Sequence, residues 1–257
     1  MTHPTPLGQE RQNCEAVHTR IMSSATPSLQ SSVTAVNSRL RAAAIGAGRP
    51  TNSVRLIAVS KTQDAQAIAL AHACGVTDFG ENYLQEALSK IRALEDLPLT
   101  WHFIGRLQAN KTRDVAGHFQ WVHTVDRPSI IRRLNDHTPA ARLLQICLQL
   151  NVDRDPNKGG LAVDDQKAVE ELVLLTQTCD RLRLRGLMTI LDETTPPAVG
   201  YARLATAFDH LRPIAGEHWD TLSMGMSADF EAAIAAGATH VRIGEAVFGR
   251  RLPKTGE

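Results

Sequence analysis

From residue 29 onward the apolar positions fall into two alternating rhythms. Leu29, Val33, Val36, Leu40 and Ala44 recur at helical spacing and predict a helix over 27–47. It stops at Gly46-Ala47-Gly48, where glycine accommodates the turn that ends a helix. Eight short strand-type runs follow: VRLIAVS (54–60), TDFG (77–80), TWHFIG (100–105), WVHTV (121–125), RLLQICLQLN (142–151), RLRGLMTI (183–190), DTLSMG (220–225) and HVRIG (240–244). Helical stretches separate them at 64–74, 82–95, 127–136, 164–179, 197–216 and 227–236. Strands that each hand over to a helix argue for parallel neighbours joined by crossovers. Eight such units predict an α/β fold, a single-domain (β/α)8 TIM barrel over 28–257 with an N-terminal helix; an open doubly wound sheet is the alternative. Residues 1–27 are polar, lack apolar periodicity and read as an extension, within which Met22 is a candidate start.

Composition narrows the function classes. With 43% hydrophobic residues in 257, the chain can bury a sizeable core and is too apolar for disorder. Lys+Arg 28 against Asp+Glu 27 leaves a net charge of +1, without the basic excess a nucleic-acid binder needs. Aromatics at 4% offer no stacking platform for single strands. No apolar run is long enough to span a membrane, and no basic-then-apolar leader opens the chain, so the expected compartment is the cytoplasm. The four cysteines form no C-x-x-C and the ten histidines no H-x-x-x-H, so neither a disulfide framework nor a metal is expected.

In a barrel of this kind the chemistry sits at the C-terminal ends of the strands. Polar, glycine and titratable residues do cluster there, in Ser60-Lys61-Thr62, Gly80-Glu81-Asn82-Tyr83, Met188-Thr189, Ser223-Met224-Gly225-Met226-Ser227 and Arg242-Ile243-Gly244-Glu245. Lys61 directly follows an apolar run. A partly desolvated lysine near other cations has a lowered pKa and can form an imine with an aldehyde; a solvated strand-end lysine is the alternative. The last two loops supply close-approach glycines and hydroxyls suited to phosphate, with Ser227 expected to cap the following helix. Arg242 alternates into the barrel, where a buried guanidinium needs an acceptor, either a neighbouring carboxylate or a ring nitrogen of a bound heterocycle. Imine lysine, phosphate loops and ring-nitrogen arginine jointly describe one ligand, pyridoxal 5'-phosphate (PLP). His102 and His123 lie in strands and read as hydrogen-bonded barrel histidines. Trp101, Trp121, Trp219 and Tyr201 read as packing residues.

The stretches AVSKTQDAQAI (58–68), DFGENYLQEALSKI (78–91), WHFIGRLQANKTRDVA (101–116), LRGLMTI (184–190) and LSMGMSADFEAAIAAGATHVRIGEAVFGRR (222–251) resemble the YggS/PROSC family of PLP homeostasis proteins. The resemblance runs collinearly over about residues 28–251. It implies a barrel like the N-terminal part of alanine racemase, the fold-type III PLP scaffold, standing alone. It implies a Schiff base on Lys61, with Asn82 and Met188 lining the pocket and Ser223, Met224, Gly225, Gly244 and Glu245 at the phosphate. Arg242 then stands beside the pyridine nitrogen. Glu245 replaces a usual threonine, Arg106 a usual proline and Ala228 a common acidic residue, and the DRDPNK loop (153–158) also varies.

The implied role is holding PLP for intracellular homeostasis, with PLP-dependent apo-enzymes as recipients and a monomer or weak homodimer as the working form. An arginine at the ring nitrogen leaves the ring neutral and a weak electron sink. Racemases with this arrangement need bases on both faces of the substrate. With two tyrosines, Tyr83 and Tyr201, and no second domain, a racemase of the alanine racemase type is the alternative. An aldolase-like use of the lysine and an interaction protein with a vestigial barrel are more distant readings.

Overall fold

The structure is a computed structural model that describes residues 29–156 and 158–249; the expected 1–27 extension and the Met22 start lie outside the described residues. Helix α1 covers 29–46 and ends where predicted, with Gly48 at φ 68° and the Arg49 N–H returning to the Ala44 carbonyl. Strands β1 (Arg55–Val59), β2 (Asp78–Glu81), β3 (Thr100–Phe103), β4 (Trp121–Val125) and β5 (Leu144–Asn151) follow. They are separated by α2 (Ala65–Ala73), α3 (Leu84–Ala93), α4 (Thr112–His118) and α5 (Pro128–His137). A two-residue strand β6 (Leu161–Ala162) lies beside β5 and precedes α6 (Gln166–Gln177). The chain closes with β7 (Leu182–Met188), α7 (Pro197–Ala215), β8 (Thr221–Ser223), α8 (Phe230–Ala235), β9 (His240–Ile243) and α9 (Glu245–Phe248).

Eight strands pair in parallel around a closed ring, β1-β2-β3-β4-β5-β7-β8-β9 and back to β1, which is the expected (β/α)8 barrel and not the open sheet. Each crossover helix lays its apolar stripe on the outer face of the strands. Leu144, Ile146, Leu148 and Leu150 of β5 belong to that shell, together with Ile130, Ile131 and Leu134 of α5 and Val169, Leu172 and Val173 of α6. Helix starts follow from local chemistry. Asp64 accepts the Ala67 N–H at 2.8 Å to cap α2, and Pro128 opens α5, where its missing N–H costs nothing. The inside of the barrel is different. Trp121, Cys147 and Met188 form a small separate cluster there, and buried polar side chains, among them His102, His123, Ser223 and Arg242, share that interior.

Several details depart from the sequence reading, among them the unpredicted β6 and α9. Helix α4 was not predicted, because it buries only Thr112, Val115 and Ala116 and so carries almost no periodic signal. Helix α3 starts at Leu84 and not at residue 82. Helix α8 starts at Phe230, and Ser227 is not its cap: the Asp229 carboxylate instead takes the Met226 N–H at 2.7 Å and the Tyr201 hydroxyl at 2.8 Å. The first turn expected after Ser227 is thereby spent on a loop tied to α7.

Candidate functional site

At the C-terminal end of the barrel a cavity of about 600 Å³ opens between the loops after β1, β8 and β9. Its lining includes Lys61, Gln63, Met226, Ser227, Ala228, Arg242, Gly244 and Glu245. Of the residues singled out from the sequence it gathers Lys61, Arg242, Gly244 and Glu245. Asn82, Met188, Ser223, Met224 and Gly225 lie outside its lining. Met188, Ser223 and Met224 are fully buried, and Gly225 takes φ 94° in the loop after β8.

Lys61 is half-buried and sits in a turn that the surrounding chain holds from both sides. Below it, the Ser60 N–H bonds the Gly80 carbonyl, and the Ser60 hydroxyl donates to Glu81 Oε1 at 2.6 Å. Above it, Thr62 takes the left-handed conformation at φ 69°, which a β-branched residue seldom does, and its N–H donates to Glu86 Oε1. Lys90 joins the two halves, donating to the Ser60 carbonyl and Glu81 Oε1 at 2.7 Å each and to Glu86 Oε1. Burial pushes the Glu81 carboxyl up in pKa, against the opposing bonds from Lys90 and Ser60. The β1–β2 side of the cavity therefore rests on a buried ionic cluster that the sequence alone did not reveal.

Arg242 forms the floor. It is 4% exposed, and Nη1 donates to the Ser223 hydroxyl at 2.9 Å while Nη2 donates to the Thr189 carbonyl at 2.8 Å. Burial lowers its pKa, while Tyr201 and Asp229 act the other way. Within the barrel its acceptors are thus a hydroxyl and a carbonyl, not the neighbouring carboxylate that the sequence reading allowed, and the guanidinium still lines the cavity. On the opposite wall the Ser227 hydroxyl faces the Ala246 N–H at 3.4 Å across the two loops. Among the described residues the N–H groups of Ser227 and Ala228 find no acceptor, so this wall offers donors to an anion. Glu245 opens α9 and is exposed at the rim.

Asn82 lies nearby, its backbone carbonyl pressed against Gly105, where a Cβ would stand 2.1 Å from the Asn82 oxygen; its side-chain Oδ1 is buried without a partner. His102 and His123 are fully buried and hydrogen-bonded to each other, and the three tryptophans are buried, as their strand positions suggested. Sequence reasoning did not single out Val59, Gln63, Phe248 and Gly249 in the lining, because they meet there only when the ring closes β9 onto β1.

The profile of the alanine racemase N-terminal domain family matches residues 33–251. The chain belongs to that family. Its relatives place it in the YggS/PROSC branch. It is 52% identical over 220 residues to the pyridoxal phosphate homeostasis protein of Pseudomonas aeruginosa, covering 84% of this chain and 93% of that one. The solved structure of PipY from Synechococcus elongatus without PLP superposes with a TM-score of 0.77 at 35% identity, over 86% of this chain and all of that one. The PipY structure with PLP bound gives a TM-score of 0.69 at 37% identity, covering 82% and 99%. This family membership is what the collinear motifs of residues 58–116 and 222–251 implied. Among the described residues no helix is long and apolar enough to cross a membrane.

Proposed function

We propose that this chain holds PLP in the cavity between Lys61 and Arg242 and serves intracellular PLP homeostasis. The observation that carries the reading is the meeting of three chemistries in one cavity of about 600 Å³, within the range of small-molecule sites. They are the Lys61 amine, the Arg242 guanidinium on the floor, and the hydroxyl and unengaged N–H groups of Ser227 and Ala228 on the far wall. When bound, PLP supplies an aldehyde for covalent attachment and a ring able to delocalise charge. Lys61 provides the amine, held in place by the Ser60 and Thr62 contacts on either side. Arg242 would hold the ring nitrogen and could not accept its proton. The loops after β8 and β9 would bind phosphate through the Ser227 and Ala228 N–H groups, with Gly244 giving close approach, while Gly225 faces Ala233 and Phe230 of the α8 region. Asn82 and Met188 shape the pocket from outside its lining, and the Ser223 and Met224 side chains support the loop from below.

This arrangement favours carriage over racemisation. A racemase needs a second base facing the lysine, and among the described residues no tyrosine lines the cavity: Tyr201 bonds Asp229, and Tyr83 is 61% exposed. The carrier acts in the cytoplasm as a monomer or weak homodimer, with PLP-dependent apo-enzymes as recipients. The test is the visible spectrum of the purified protein with PLP, before and after borohydride, followed by peptide mapping. A visible band that bleaches and leaves a pyridoxyl group on Lys61 is expected, and Lys61→Ala should lose the adduct while keeping the fold. A borohydride-stable adduct on the Lys61→Ala protein refutes the assignment.

A further inference from the structure

The barrel interior carries an unbroken run of side-chain contacts from the cavity floor to the opposite pole. Arg242 Nη1 donates to Ser223 Oγ at 2.9 Å, and Ser223 Oγ lies 2.8 Å from His123 Nδ1. His123 Nε2 lies 2.9 Å from His102 Nδ1, and His102 Nε2 lies 3.0 Å from Asp78 Oδ1. Asp78 ends the run at the N-terminal pole, where Arg55 pairs with it at 3.0 Å beside a polar pocket of about 370 Å³. From Arg242 to Asp78 every member is buried.

Counting hydrogens gives the run a direction. Guanidinium only donates, so Ser223 Oγ accepts from Arg242 and its own hydrogen is available to His123 Nδ1. His123 then carries its proton on Nε2 and donates to His102 Nδ1. His102 carries its proton on Nε2 and donates to an ionised Asp78. Every hydrogen along the run is used once and both imidazoles are neutral. Burial pushes the pKa of both histidines down, and the charge of Arg242 acts the same way on His123. Burial raises the Asp78 carboxyl, but the bonds from His102 and Thr77 and the charge of Arg55 outweigh it and hold it at about 2. His240, with its ring 6.4 Å from that of His102 and 6.3 Å from that of His123, is itself pushed down to about 3 by burial and adds no charge.

We propose that His123 is a positioning residue for Arg242, acting through the Ser223 hydroxyl, and that Asp78 and His102 set the tautomer with which it acts. The Nδ1 lone pair of His123 turns the Ser223 hydroxyl so that its oxygen faces the guanidinium. Thr189 holds the other Nη. Among the described residues no carboxylate pairs with Arg242, so the cation is aimed into the cavity by neutral groups and its charge is left for a ligand. The ligand side of this inference rests on the PLP reading; the orientation of the run does not.

The first test uses the ligand-free protein with 15N-labelled histidine. Near neutral pH, His102 and His123 should both appear as neutral Nε2–H tautomers. A charged ring or an Nδ1–H tautomer at His123 overturns the proposal. The second test is His123→Phe, which keeps a ring and removes both nitrogens. With PLP as the probe, binding should weaken about tenfold or more, as expected when a buried polar partner is lost, and the visible band should shift. A folded variant with the wild-type band and affinity overturns the proposal; if the variant does not fold, the tautomer measurement decides. Wild-type protein that shows the expected tautomers but does not bind PLP supports this inference and sinks the cofactor reading.

Discussion

Lys90→Met should be the most destabilising single change near the site, and the size of its effect should depend on pH. In the native chain the Glu81 side chain is 0% exposed and that of Lys90 6%, with Nζ 2.7 Å from Glu81 Oε1. Methionine keeps much of the bulk and removes the charge. Glu81 is then left with the Ser60 hydroxyl as partner for Oε1, while Oε2 already has none. Leaving one member of a buried pair costs about 3–5 kcal/mol. For a chain of this size that is a fall in Tm of roughly 6–20 °C. Burial raises the folded-state pKa of Glu81, so the folded protein binds more protons than the unfolded chain. Stability is therefore lost as pH rises from the unfolded value near about 4.3 through the raised folded value. Removing Lys90 raises the folded value further and carries the loss to higher pH. The deficit against wild type should be small near about pH 5, where Glu81 can protonate, and full near about pH 8. Urea titrations of both proteins at the two pH values read this directly. The double variant Glu81→Gln/Lys90→Met, which removes the buried charge, should recover much of the loss and show no such pH dependence. A deficit equal at both pH values, or a double variant no better than the single, would refute the reasoning.

Two further outcomes follow from packing and burial. Gly105→Ala places a Cβ 2.1 Å from the Asn82 carbonyl oxygen and 2.8 Å from its carbon; this is backbone and cannot swing aside, so the urea midpoint should fall by the equivalent of about 1–3 kcal/mol, and an unchanged midpoint would contradict the packing. Cys147 is fully buried and its thiol is pushed up in pKa by burial, so iodoacetamide on the folded protein should label the half-buried Cys74 and Cys179 ahead of Cys147; equal labelling of Cys147 by peptide mapping would show that the barrel interior is open.

The barrel and its lysine were already readable in the sequence because their signals are local. Runs such as LIAVS and QICLQL announce strands buried on both faces, and a lysine directly after such a run falls at the strand end whatever the loops do. The family motifs added an expectation of what each loop would hold. Tertiary structure decided everything that depends on partners distant in sequence. Ser227 lost its role as a cap because Asp229 answers to Tyr201, 28 residues away, and helix α8 starts later for that reason. Helix α4 escaped detection because three buried positions leave too little periodicity to see. The acceptors for Arg242 are Thr189, directly after β7, and Ser223 of β8, and the His123–Ser223 contact joins residues 100 apart. Periodicity records which face of an element is buried. Only closure of the ring determines which buried polar groups meet, and here it made one hydrogen-bonded run of residues the sequence had shown only as separate barrel positions.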